Sequence, residues 1–144
     1  MNFYLLKRRW ELLKSLPLSL YFNFHYLPIK QAIKLPIILY NPSFWALKGK
    51  VVIDSSKISF GMIRLGLFNA SINKGKGFVW MNEAGTVIFH GCFSAGPGSV
   101  MKISHPHAVL EFGNNVGNAS SLRIDCHYNI SIGENSRFYI KALV

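Results

Sequence analysis

The sequence predicts an all-β chain built as a left-handed parallel β-helix, with a short α-helix and an irregular extended segment ahead of it. Three observations lead there. Beyond about residue 50 charge falls, Gly becomes frequent, and short apolar or β-branched runs recur every few residues, as in residues 50–53 and 86–89. Near the C-terminus these runs fall on a six-residue grid. The unit Ile132-Gly133-Glu134-Asn135 has the I-G-x-N form in which Gly and Asn tolerate the strained backbone of a solenoid corner.

At 144 residues the chain is the size of one ordinary domain, and 50% of it is hydrophobic against 15% charged. It is globular, and greasy for its size. The net charge of +10 is concentrated at the front. Residues 1–50 carry Lys7, Arg8, Arg9, Lys14, Lys30, Lys34, Lys48 and Lys50 against Glu11 alone. Basic residues interleaved with Phe, Trp and Tyr point to an anionic surface. No helix-turn-helix pattern, zinc-finger spacing or RNA-binding strand motif positions a nucleic acid, so none is expected. Two readings of residues 1–50 stay open: peripheral contact with an anionic membrane, since interfacial helices place Lys and Arg beside Trp, Phe and Leu, or a solvated helix face plus a subunit contact.

Taken in order, residues 2–15 read as a short helix, with Phe3, Leu6, Trp10 and Leu13 at spacings of three and four on one stripe. Leu16 and Pro17 are expected to end it. From Leu18 the pattern reads as extended, Leu20, Phe22, Phe24 and Tyr26 alternating along one side, with Pro28, Pro36 and Pro42 punctuating the chain beyond. The run from Leu16 to Tyr40 is too broken by prolines and by Lys30 and Lys34 to span a bilayer. The start does not read as a signal peptide, so the expected location is cytoplasmic, with the inner face of the membrane as one place within it. Residues 1–50 thus form a basic, aromatic-rich helix and extended segment packing on the solenoid, and residues 51–144 form its coils.

The hexads begin at Phe112 and run through Asn118 and Ile124, with apolar residues in most first and fifth places; after Ile130 the register slips by two. Each hexad would form one flat face of a triangular coil, the first side chain pointing inward onto a shared apolar core. Upstream, Ile88, Val100 and Phe112 lie on the grid, but Ser94 and Pro106 stand between them, so residues 51–105 are expected to be irregular coils.

Chemistry-bearing patterns are sparse. Cys92 and Cys126 form no CxxC pair and read as buried free thiols. Cys126 and His127 cannot form a nucleophilic pair, because neighbours on an extended strand point to opposite faces. His105 and His107 would share a face if Pro106 keeps them extended, but a third metal ligand is lacking, so no metal is expected. Gly75-Lys76-Gly77 and Gly96-Pro97-Gly98-Ser99 lack phosphate-loop spacing and read as turns.

Several longer stretches also resemble the bacterial hexapeptide-repeat acyltransferases of capsule and lipopolysaccharide gene clusters. These are residues 21–28 (Tyr-Phe-Asn-Phe-His-Tyr-Leu-Pro), 31–37 (Gln-Ala-Ile-Lys-Leu-Pro-Ile), 47–50 (Leu-Lys-Gly-Lys) and 60–66 (Phe-Gly-Met-Ile-Arg-Leu-Gly). Val87-Ile88-Phe89-His90-Gly91, Asp125-Cys126-His127 and residues 130–135 continue the likeness. The resemblance implies a left-handed β-helix that forms a homotrimer and transfers an acetyl group from acetyl-CoA to the hydroxyl of a surface-polysaccharide sugar. It further implies that a histidine acts as general base. It places His127, with Asp125 and Asn129, in a coil bordering the acceptor groove, as substrate-binding residues. The base itself belongs to a run resembling M-D-T-D-x-H, expected beyond Val144. A Tyr139-Ile140 pair stands where Ser-Trp is usual. This stretch of chain is therefore expected to be inactive by itself. The competing expectations are a non-catalytic β-helix remnant or scaffold, and a peripheral membrane-binding module.

Overall fold

The structure, a computed structural model, describes residues 3–66, 77–118 and 122–138. Two helices come first, α1 (Phe3–Tyr26) and α2 (Ile29–Ala32). Short strands come after them, numbered in chain order, and they form three sheets. The first sheet holds β1 (Ile37–Leu39), β4 (Ile63–Leu65), β7 (Phe93–Ala95), β10 (Val116–Asn118) and β13 (Arg137–Phe138). The second holds β2 (Pro42–Leu47), β5 (Phe78–Asn82), β8 (Ser99–Ile103) and β11 (Arg123–Cys126). The third holds β3 (Lys50–Ile53), β6 (Thr86–Phe89), β9 (Val109–Phe112) and β12 (Asn129–Ile132). Successive strands visit the three sheets in strict rotation, and each pairs in parallel with the strand one rung below. The chain is mostly β, and the rotation fits a β-helix-like arrangement.

The register stacks like on like. In the third sheet Ile53, Phe89, Phe112 and Ile132 form one inward column, and Val51, Val87, Leu110 and Ile130 form another. Phe89, Phe93 and Phe112 meet in the centre, with ring centroids 4.3 to 5.5 Å apart. All three rings are within 2% of full burial, and side chains of this size dominate the energetics of a narrow core. Corners use left-handed backbone. Asn115 and Asn135 have φ of 60° and 62°, and the Asn115 amide donates to Asn135 Oδ1 at 2.9 Å, so the strained corners of two rungs are tied together.

The expected end of the first helix at Pro17 is overturned. α1 continues to Tyr26, with Pro17 exposed on its outer side, where the carbonyl it leaves unpaired can meet water. The alternation read from Leu20 to Tyr26 is not a strand: Phe22 is fully buried while Leu20 and Phe24 face solvent. What helix residues bury is a narrow, partly polar face made by Ser15, Ser19, Phe22 and Asn23. That face covers the edge strand β1. Asn23 Nδ2 donates to Ile37 O at 2.7 Å and Ile37 N donates to Asn23 Oδ1 at 3.2 Å. Ser19 Oγ treats Leu39 likewise, accepting from its N–H at 2.9 Å and donating to its carbonyl at 3.3 Å. Residues spaced i, i+4 on the helix thus answer residues spaced i, i+2 on the strand, and an edge that would template aggregation is closed.

Two further expectations fail. Residues 51–105 are not irregular: β3 to β8 stack in register through most of them. Ile88 and Val100, placed inward by the grid, point outward, while Val87, Phe89 and Met101 are buried. The rungs here are longer than three hexads, so a grid extended backwards from Phe112 arrives one residue out of phase, which in a strand reverses the face.

Candidate functional site

The sequence-predicted residues lie on and just after β11. Asp125 occupies an outward position of that strand, Cys126 the next inward one, and His127 begins the corner leading to β12. The alternation brings Asp125 and His127 to the same side, and His127 Nε2 lies 3.1 Å from Asp125 Oδ1. Among the described residues no hydrogen bond engages His127 Nδ1, and the side chain is half-exposed. His105 lies one rung below, its ring 5.5 Å from that of His127 and stacked 6.1 Å from Tyr128. The corner therefore presents two imidazoles, a carboxylate and a largely exposed phenol. Asn129 opens β12 opposite Val109 and is exposed, and among the described residues its side chain has no hydrogen bond to the Asp125–His127 pair.

His105 and His107 do not share an extended face, because Ala108 N donates to His105 O at 3.0 Å and closes a turn around Pro106. Among the described residues no group of three or more His, Cys, Asp or Glu side chains is arranged to hold a metal ion. Cys126 is buried, with Sγ 3.2 Å from Tyr128 O, and burial pushes its thiol pKa up. Cys92, expected to be buried, is exposed at the end of a corner, directly before β7. Gly98, with φ of 78°, and the Ser99 Oγ bond to Gly96 O at 2.7 Å make the second glycine-rich stretch a turn, whereas Gly75 and Lys76 lie outside the described residues.

A second constellation was missed by sequence reasoning. His90, just past β6, stands between two carboxylates on the outer face of the third sheet: Nδ1 is 3.4 Å from Asp54 Oδ2, and Nε2 hydrogen-bonds Glu111 Oε1. Both ring nitrogens lie against carboxylates, and the column ties three rungs together. The sequence carries part of it: Val51-Val52-Ile53-Asp54, Val87-Ile88-Phe89-His90 and Leu110-Glu111-Phe112-Gly113 align as one unit in which Asp54 and His90 share the last place, whereas Glu111 stands level with Ile88 and reaches His90 only through the stacking of the rungs.

A cleft of about 550 Å³ lies where the C-terminal end of α1 and α2 meet β2 and β3. Its polar groups are already committed to backbone. His25 Nε2 lies 2.7 Å from Leu47 O, Tyr26 donates to Lys48 O at 2.7 Å, and Gln31 donates to Ile53 O at 3.4 Å. Trp80, fully buried, donates to Tyr26 Oη at 3.2 Å. Burial pushes the Tyr26 pKa up to about 12, against the opposing hydrogen bond from Trp80. The cleft is the seam that fastens the helices to the first rung. Compared with known proteins, the chain matches no protein family, no curated protein and no solved structure.

Proposed function

We propose that this chain is part of a left-handed parallel β-helix O-acetyltransferase that uses acetyl-CoA to acetylate a sugar of a surface polysaccharide or its precursor, working in the cytoplasm as a homotrimer. The observation that carries this reading is the strict rotation of strands through three parallel sheets, with Gly-x-Asn corners at 113–115 and 133–135 whose Asn residues take left-handed backbone. A rigid solenoid of this kind offers flat outer faces on which side chains are held in fixed register. The family resemblance supplies the reaction.

In that reaction the sugar hydroxyl attacks the thioester carbonyl while a base removes its proton, and the tetrahedral oxyanion collapses to expel the CoA thiolate. Backbone N–H groups would hold the oxyanion. Asp125 and His127 bind the acceptor in this reading: Asp125 fixes the ring through Nε2, and Nδ1 is presented to a sugar hydroxyl. Asn129 adds an amide at the same edge.

The test is release of free CoA thiol with a panel of sugar and sugar-nucleotide acceptors, using this chain and one continuing through an acidic-histidine run. The longer chain should turn over, and His127→Ala in it should raise KM for the acceptor with little change in thermal stability. If neither chain turns over acetyl-CoA and no acceptor raises the melting temperature, a non-catalytic scaffold replaces this reading.

A further inference from the structure

The burial pattern of α1 is inverted. Its inner face is narrow and carries Ser15, Ser19 and Asn23 beside a single large apolar side chain, Phe22, whereas Trp10, Leu13, Leu20, Tyr21 and Phe24 are 44% to 59% exposed. Those five recur at helical spacing and form one stripe, with Pro17 among them, on the side away from the rungs. A helix of a soluble domain ordinarily turns such a stripe to the core. Here the core is already filled by the columns of the solenoid, and the helix is held to β1 by polar side chains instead.

We propose that this outer face of α1 lies on an anionic bilayer surface. Arg9 and Lys14 are exposed, and helical periodicity puts them on the two flanks of the stripe. In residues 1–50 only Glu11 opposes the basic residues. An apolar stripe bordered by cations is complementary to a headgroup layer bearing phosphates, into which it sinks roughly 5–10 Å. It is a poorer match for a second copy of itself, because a two-fold contact brings together two faces that both carry net positive charge. The helix lies on the bilayer rather than through it: among the described residues no helix is long and apolar enough to cross a membrane. This inference stands on α1 alone and is independent of the reaction proposed above.

The experiment is flotation of the full chain with vesicles of phosphatidylcholine alone and of phosphatidylcholine mixed with phosphatidylglycerol, across a salt series. Binding to the mixed vesicles at low salt, weak binding to phosphatidylcholine and release at high salt are expected. In a Trp45→Phe background, with Trp80 already buried, the emission of Trp10 should shift to the blue on binding. The double variant Leu13→Glu/Phe24→Glu replaces two exposed side chains, so its melting curve should match the parent while vesicle affinity falls at least about tenfold. The proposal is overturned by equal binding to both vesicle types, by no binding at low salt, or by a double variant that binds like the parent. It is equally overturned if the double variant instead splits an oligomer that itself ignores vesicles, for the stripe is then a subunit contact.

Discussion

Asn23 gives Ile37 what a neighbouring strand would give it: an acceptor for its N–H and a donor for its carbonyl, from a helix side chain that is itself fully buried. Asn23→Ala leaves both backbone groups buried without partners, and should lower stability by roughly 2–4 kcal/mol in denaturant unfolding. Asn23→Asp keeps the acceptor but turns a carboxylate oxygen towards the carbonyls of Ser19 and Ile37. Its carboxyl is protonated more readily folded than unfolded, so this variant should gain stability as pH falls, whereas Asn23→Ala should show no such gain.

Tyr26 predicts an alkaline transition. Its folded pKa of about 12 lies above the ordinary tyrosine value of 10.0, so the folded state holds the proton longer. The associated stability is fully present below pH 10 and declines as pH rises from 10 towards 12. Tyr26→Phe should flatten that decline. It should also reduce stability at neutral pH by about 1–3 kcal/mol, because the buried Trp80 Nε1–H and the Lys48 carbonyl lose their partner.

Two glycines should respond oppositely to a methyl group. Gly49 has φ of 69°, and a Cβ there would run into the Gly85 carbonyl of the next rung. Gly49→Ala should therefore shift the melting temperature down by several degrees. Gly133 has nothing within 4 Å of the equivalent point, and Gly133→Ala should stay within about 0.5 kcal/mol of the parent.

Phe112 touches Phe89 and Phe93 at the centre of the stack, and Phe112→Ala should cost about 3–5 kcal/mol, with Phe112→Leu closer to the parent. The thiols offer a simpler check of the same packing. A maleimide should label Cys92 alone in the native chain and Cys126 as well only after denaturation.

The solenoid is legible where its rungs are shortest. From Phe112 onward an apolar residue at the first place of a hexad does point inward, as Phe112 and Ile124 do, and at the 133–135 corner Asn135 takes the left-handed backbone while Gly133 does not need to. Upstream, insertions between strands shift the phase, so the hexad grid selects Ile88 and Val100 where strand alternation buries Val87, Phe89 and Met101. The full length of the first helix is hidden because Pro17 reads as a stop, and because its apolar stripe is the outer face while the inner one is half polar. Nothing in the spacing of Ser19 and Asn23 announces a strand edge 14 to 20 residues downstream. Asp125 and His127 are visible as a pair because strand alternation alone puts them on one side. Asp54, His90 and Glu111 are not, because only the stacking of rungs unites them.

The strap formed by Ser19 and Asn23 also has a meaning in time. α1 precedes β1 in the chain, so the β1 edge of the first rung can be covered while the later rungs are still being made. Each later rung then adds to a layer whose β1 side is already closed to pairing with another nascent chain.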